Sequence, residues 1–85
     1  MTSDEIGETV LRILGEIAPE ADLDRIEPNV DLRDQLDIDS MDFLNFVIGI
    51  HRELGVDIPE ADYSRLATLD AIVEYLRARV PAPQA

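Results

Sequence analysis

Apolar residues recur at three- and four-residue intervals in three separate stretches of this chain, the spacing that lays a stripe along one face of a helix. The first stripe is Ile6, Val10, Ile13, Leu14 and Ile17. Thr2 or Ser3 is placed to cap it, and Asp4, Glu5 and Glu8 suit the positive end of its dipole. Gly15 weakens the helix by about 1 kcal/mol relative to alanine. Ile17 nevertheless completes the stripe, so the helix is predicted to run through Gly15 and stop before Pro19. A second helix is predicted to begin at Asp39 or Ser40 and to end at Gly55. On it Asp42, Asn45, Gly49, Arg52 and Glu53 share an arc of roughly 100°. Phe43, Leu44, Phe46, Val47, Ile50 and Leu54 fill the remainder, with Met41 and Ile48 on the border. So wide an apolar face predicts packing on more than one side, which makes this the central helix. Thr68 caps the last helix, whose stripe is Leu69, Ile72, Val73, Leu76 and Val80, with Arg77 and Arg79 at its negative end.

Between the first two helices, residues 18–39 carry two prolines, many aspartates and the scattered apolar residues Leu23, Ile26, Val30, Leu32, Leu36 and Ile38. That pattern predicts a long loop pinned to the core, with a short helical turn after Pro19 at most. Loops longer than about 12–15 residues are uncommon in compact domains and are often functional. Pro59 is expected to open a short helical turn over Glu60–Leu66. Arg12-Ile13-Leu14-Gly15 followed by Pro19-Glu20-Ala21-Asp22 resembles Arg52-Glu53-Leu54-Gly55 followed by Pro59-Glu60-Ala61-Asp62. The likeness reads as one helix exit and one proline-initiated turn used twice. No alternating strand pattern competes. The expected fold is all-α, a small bundle of three main helices plus one short helix, with a long loop between the first and second. Residues 1–80 form the domain and 81–85, Pro-Ala-Pro-Gln-Ala, a flexible C-terminal tail.

Composition narrows the function. The chain has 85 residues, 46% of them hydrophobic, enough for one small core. Its 19 acidic and 7 basic residues leave a formal charge of −12, and every basic residue is arginine. Such a chain repels phosphate backbones and anionic lipid surfaces, so neither nucleic acid nor a membrane is an expected partner. A protein with a basic patch is. With no cysteine, disulfides, thiolate catalysis and sulfur-ligated metals are excluded together. No apolar run approaches the ~20 residues that cross a bilayer. The start, Met1-Thr2-Ser3-Asp4-Glu5, is acidic where a signal peptide is basic. A cytoplasmic, monomeric protein whose mature chain is the whole chain is expected.

Self-contained catalysis is not expected. The only histidine, His51, shares the second helix with Ser40. Eleven residues at 1.5 Å each place them roughly 16 Å apart, beyond hydrogen-bond reach. His51 is instead expected to be a partly buried structural imidazole on the broad apolar face. No glycine-rich phosphate loop or spaced His/Glu metal motif occurs. The aspartates 31, 34, 37, 39 and 42 raise the question of calcium. Counted from Asp37 as the start of a calcium loop, however, Asp42 falls at the glycine position and Ile48 at the terminal glutamate. No metal site is expected. Ser40, in Leu36-Asp37-Ile38-Asp39-Ser40-Met41-Asp42, begins a helix after a long loop. An exposed hydroxyl there suits modification, since an attached phosphate meets free backbone N–H groups and the positive end of the dipole. Ser40 or Asp39 also suits a plain N-cap. Both readings hold together if Asp39 caps and Ser40 bears the group.

Asp39-Ser40-Met41-Asp42 on a long apolar helix resembles the Asp-Ser-Leu signature of acyl carrier proteins. The resemblance extends through Gly55-Val56-Asp57-Ile58-Pro59 and Leu69-Asp70-Ala71-Ile72-Val73-Glu74-Tyr75-Leu76, and back to Ile13-Leu14-Gly15-Glu16. It covers nearly the whole chain in the family's order. In that family the matching serine carries 4′-phosphopantetheine through a phosphodiester, so the resemblance implies covalent attachment at Ser40. The reactive thiol then belongs to the cofactor, consistent with a chain lacking cysteine. Acyl groups ride on it as thioesters, and partner enzymes supply the catalysis.

The resemblance also implies partners: a phosphopantetheinyl transferase, and acyl-transferring or condensing enzymes with basic docking patches. They are expected to meet Asp39, Met41, Asp42, Asn45, Ile48 and Arg52 on the exposed strip of the second helix. Asp39 and Asp42 steer the encounter, and charge reversal at either is expected to impair transfer while leaving the fold nearly intact. Asn45, His51 and Arg52 stand where the family often has glutamate, Asp37 where glycine is common, and Met41 in place of leucine. These departures point away from the standard fatty acid synthase partners and toward a freestanding carrier of a specialised fatty acid-like, polyketide or lipid pathway. An unmodified acidic helical adaptor that binds a basic protein is the alternative.

Overall fold

A computed structural model describes residues 2–80; the tail expected over 81–85 lies outside the described residues. Helix α1 spans Ser3–Ile17. The Glu5 N–H donates to Thr2 Oγ1 at 3.2 Å and the Thr2 N–H donates back to Glu5 Oε1 at 2.8 Å, a reciprocal cap. Those bonds hold the Glu5 carboxyl below the usual carboxylate range. The helix runs through Gly15 and closes at Ala18, directly before Pro19. Ile6, Val10, Ile13 and Leu14 are buried and Ile17 is half-buried, so the stripe lies where its spacing put it.

The long connection contains more structure than its sequence suggests. Asp22 caps a 3-10 turn at Leu23–Arg25. Asp31 caps a four-residue helix, α2, at Leu32–Gln35. One side chain fastens the segment. Gln35 Nε2 donates to the carbonyls of Glu27 at 2.9 Å and Val30 at 2.8 Å, while its Oε1 accepts from the Glu27 N–H. The Leu32 N–H donates to Ala67 O at 2.8 Å and the Asp70 N–H to Pro28 O at 2.9 Å, tying the connection to the far end of the chain. Leu32 and Leu36 are buried beneath it.

Helix α3 covers Ser40–Leu54 and ends on Gly55, whose φ of 69° lies in the left-handed region. Only glycine takes that conformation without steric cost. A second 3-10 segment spans Glu60–Arg65 after Pro59, and Thr68 caps α4 at Leu69–Arg77. The described residues form helices and no strands. The two similar sequence segments do not share a conformation. Gly55 ends its helix, whereas Gly15 sits inside α1, two residues before that helix stops.

The central helix is α1, not α3. It packs against both α3 and α4, and its buried stripe joins Phe46, Ile50, Ile72 and Leu76 in one apolar cluster. This packing also changes which side of α3 meets water. Gly49, assigned from sequence to an exposed polar strip, lies against α1; a Cβ added there would stand 2.8 Å from Ile13 Cγ2. On the same side Arg12 grips Glu53 through two hydrogen bonds, each 3.1 Å. That contact holds the Glu53 carboxyl below its ordinary range, first by hydrogen bonding and then by charge. Because α1 covers the polar side at Gly49 and Glu53, the opposite edge of the apolar arc is left bare. Leu44, expected within the apolar face, is 48% exposed. His51, expected partly buried, is exposed.

Candidate functional site

Ser40 is the first residue of α3 and is exposed. Its position follows from a cap made by its neighbours. Asp39 Oδ1 accepts from the Asp42 N–H at 2.9 Å, and Asp42 Oδ2 accepts from the Asp39 N–H at 3.3 Å. Asp39 is therefore the N-cap and Ser40 is released from that duty. Among the described residues, no side-chain hydrogen bond engages Ser40 Oγ. The expectation of free N–H groups narrows accordingly. The Asp42 N–H is taken, and the amides of Ser40 and Met41 remain outside the cap.

At 100° per residue, Ser40, His51, Leu44, Ile48, Met41, Arg52 and Asn45 occupy one arc of roughly 140°, and all seven are exposed. The solvent face is thus rotated by about 100° from the polar arc read in the sequence. Its middle is an apolar ridge: Met41 at 74%, Leu44 at 48% and Ile48 at 46% exposed. Asp39 is exposed at one end, while Asp42 is half-buried beside the cap. Asp42, Asn45, Ile48 and Arg52 come together along a groove of about 360 Å³ between α3 and α1, whose other wall includes Ile13, Glu16 and Ile17. The sequence reading missed Leu44. Its spacing of three from Met41 and four from Ile48 was visible, but nothing local distinguished that edge from the buried one.

A second feature lies on the other side of Ser40. Ile38 and Phe43, two residues before and three after the serine, help line a cavity of about 330 Å³. Its floor is apolar, with Leu14, Leu32, Phe46 and Leu66 all buried. Asp31, Arg33 and Ser64 form a polar rim. The Phe43 ring meets the Tyr63 ring edge-on at 5.4 Å between centroids, and the Arg33 guanidinium lies 5.2 Å from the Phe43 centroid. No periodicity in residues 31–38 or 60–67 announces this cavity, because four separate segments assemble it.

The exposed Ser40, left free by the Asp39–Asp42 cap, is suited to bearing a group. The described residues contain no cluster of potential metal ligands, and no described helix is long and apolar enough to cross a membrane. Comparison with known proteins agrees with the geometry. A family model described as the phosphopantetheine attachment site matches residues 6–76. Among curated relatives, an acyl carrier protein of Lactobacillus johnsonii is 31% identical over 78 residues, covering 92% of this chain and 96% of that protein. One from Lactobacillus acidophilus is 30% identical over 59 residues, 69% of this chain and 74% of its own length. A third, from Thermosynechococcus vestitus, is 26% identical over 82 residues, 96% of this chain and 100% of its own. The chain belongs to the phosphopantetheine-binding acyl carrier protein family. Such proteins are carriers rather than enzymes, and the group they hold is 4′-phosphopantetheine on a serine.

Proposed function

We propose that Ser40 bears the 4′-phosphopantetheine arm and that the protein presents acyl groups on it to the enzymes of a specialised fatty acid-like, polyketide or lipid pathway. The observation that carries this reading is an exposed Ser40 hydroxyl at the start of a 15-residue helix whose cap is supplied entirely by Asp39 and Asp42. The free amides of Ser40 and Met41 fit the phosphodiester. When bound, the arm supplies the thiol that holds acyl groups as thioesters. The chain's own residues do the rest. Asp39 and Asp42 attract basic patches on the transferase and on acyl-handling enzymes. The ridge of Met41, Leu44 and Ile48 offers a dry contact once partners meet, flanked by Asn45 and Arg52. The apolar floor behind Ile38 and Phe43 offers room for a short acyl chain, its volume being at the small end of ligand pockets. Asn45, His51 and Arg52 leave this face less acidic than the rest of the chain, which supports a dedicated set of partners.

Co-expression with a phosphopantetheinyl transferase tests the assignment. Intact mass is expected to rise by one phosphopantetheine in the wild type and to stay unchanged in Ser40→Ala. A wild-type chain that gains no mass with several transferases would make an unmodified acidic adaptor the correct reading.

A further inference from the structure

The cavity beside Ser40 has an uneven wall. Its floor is closed by side chains that see almost no solvent, Leu14 at 0%, Phe46 at 1% and Leu66 at 1% exposure, whereas Arg33 and Ser64 on the rim are exposed. A chain tethered at the rim and entering tip-first therefore leaves its thioester end among polar groups. Of these, Arg33 is the best placed donor. Asp31 accepts from the Arg33 N–H at 2.8 Å and so fixes its backbone. The guanidinium lies against Phe43, a ring itself held by the edge of Tyr63. In a chain with 19 acidic residues, no described carboxylate pairs with that guanidinium at ion-pair distance. Its N–H donors, five in all, stay available at the rim.

We infer that Arg33 determines which acyl chains this cavity holds: short chains, apolar at the tip, that carry a neutral oxygen, hydroxyl or carbonyl, on the second carbon out from the thioester carbonyl. The inference rests on the attachment reading above and names its cargo. A hydroxyl or carbonyl at that place accepts a hydrogen bond from the guanidinium, and the Ser64 hydroxyl offers a second partner. A saturated chain lays methylene against those donors and strips their water without replacement, which is costly. A carboxylate at the far end of the chain gains little, because entering tip-first it would be carried into the apolar floor of Leu14, Phe46 and Leu66, where an unpaired charge is costly.

The test uses the full chain, loaded by a phosphopantetheinyl transferase from coenzyme A thioesters of one short chain length: saturated, 3-hydroxy, 3-oxo and carboxylate-ended. Hydroxylamine cleavage of each thioester, divided by the rate for the same acyl group on free pantetheine, reads how well the rim covers it. In the wild type the 3-oxygenated thioesters are expected to be cleaved about fivefold more slowly than the saturated one, the worth of one net hydrogen bond. The carboxylate-ended thioester should match the saturated one. Arg33→Met keeps the apolar stem over Phe43 and should erase the difference, the saturated thioester being cleaved no faster than in the wild type because the cost of stripping water from the guanidinium is gone; Arg33→Lys should keep part of the difference. Equal normalised rates in the wild type, or a difference that survives in Arg33→Met, would overturn the inference and leave the attachment reading standing. Absence of any mass gain at Ser40 would overturn both.

Discussion

Tyr75 shows what one side chain contributes beyond its place in a stripe. The α4 pattern picked out Leu69, Ile72 and Leu76, and the structure buries Tyr75 among them at 3% exposure. Its hydroxyl donates to Asp62 Oδ2 at 2.7 Å, and the Arg79 guanidinium packs on its ring at 3.6 Å. Burial first, and the hydrogen bond to Asp62 second, push the phenol's pKa up. The neutral phenol is thus the form that folding favours. Its contribution is complete below the unfolded value of about 10 and is lost as pH rises through the higher folded value. Thermal melts should therefore show the wild type losing stability above about pH 10, and Tyr75→Phe should lack that loss. At neutral pH the substitution should cost about 1 kcal/mol, or roughly 4–8 °C for a domain of this size. An alkaline loss identical in both proteins would refute the assignment to Tyr75.

At the scale of elements, α3 carries two duties at its first turn. Asp39 and Asp42 cap the helix through each other's backbone amides, and the same carboxylates lie next to the proposed attachment point. Charge reversal there removes a cap as well as a charge, so lysine at either position should also cost about 1 kcal/mol of stability. Asparagine caps as well as aspartate does, whereas alanine costs about 1 kcal/mol. Asp39→Asn should therefore melt within a few tenths of a kcal/mol of the wild type yet load more slowly with the transferase at low salt, the gap closing as salt is added. Asp39→Ala should melt lower by the full value of the cap. Unchanged low-salt loading of Asp39→Asn would remove electrostatic steering at this residue. The caps at Thr2, Asp39, Gly55 and Thr68 were legible in the sequence because capping is a local interaction between neighbours a few positions apart. Helix α2 was not: four residues are too few to show a period, and Asp31 is one aspartate among many.

For the whole molecule, charge is the dominant long-range property. A net −12 on 85 residues makes the folded state repel itself, and few ion pairs offset this among the described residues, the best being Arg12 with Glu53. Screening should relieve the repulsion, so raising salt from low ionic strength should raise the melting temperature. A melting point that does not move with salt would show that the carboxylates are too far apart, or too well solvated, for their sum to matter. On the proposed function, the acidic surface favours partners with positive patches. In the same proposal, the bare ridge of Met41, Leu44 and Ile48 is the apolar surface that such partners would grip.

What the sequence determined by itself is local or additive: where three helices start and where α1 and α3 stop (the last was expected to reach Val80 but ends at Arg77), which stripe of α1 and α4 is apolar, the sign of the surface charge, the absence of cysteine, and a serine at the head of a helix. Each follows from residues near one another in the chain or from a simple sum. The tertiary structure decided which side of α3 meets water. The apolar arc of α3 is wider than its neighbours can cover, so its bare edge depends on where α1 approaches. Gly49 lets α1 come close on one side, and Leu44 and His51 are left exposed on the other. The cavity beside Ser40 is decided the same way, since Arg33, Phe43 and Tyr63 meet only when the connection, α3 and the 3-10 segment fold onto a common core.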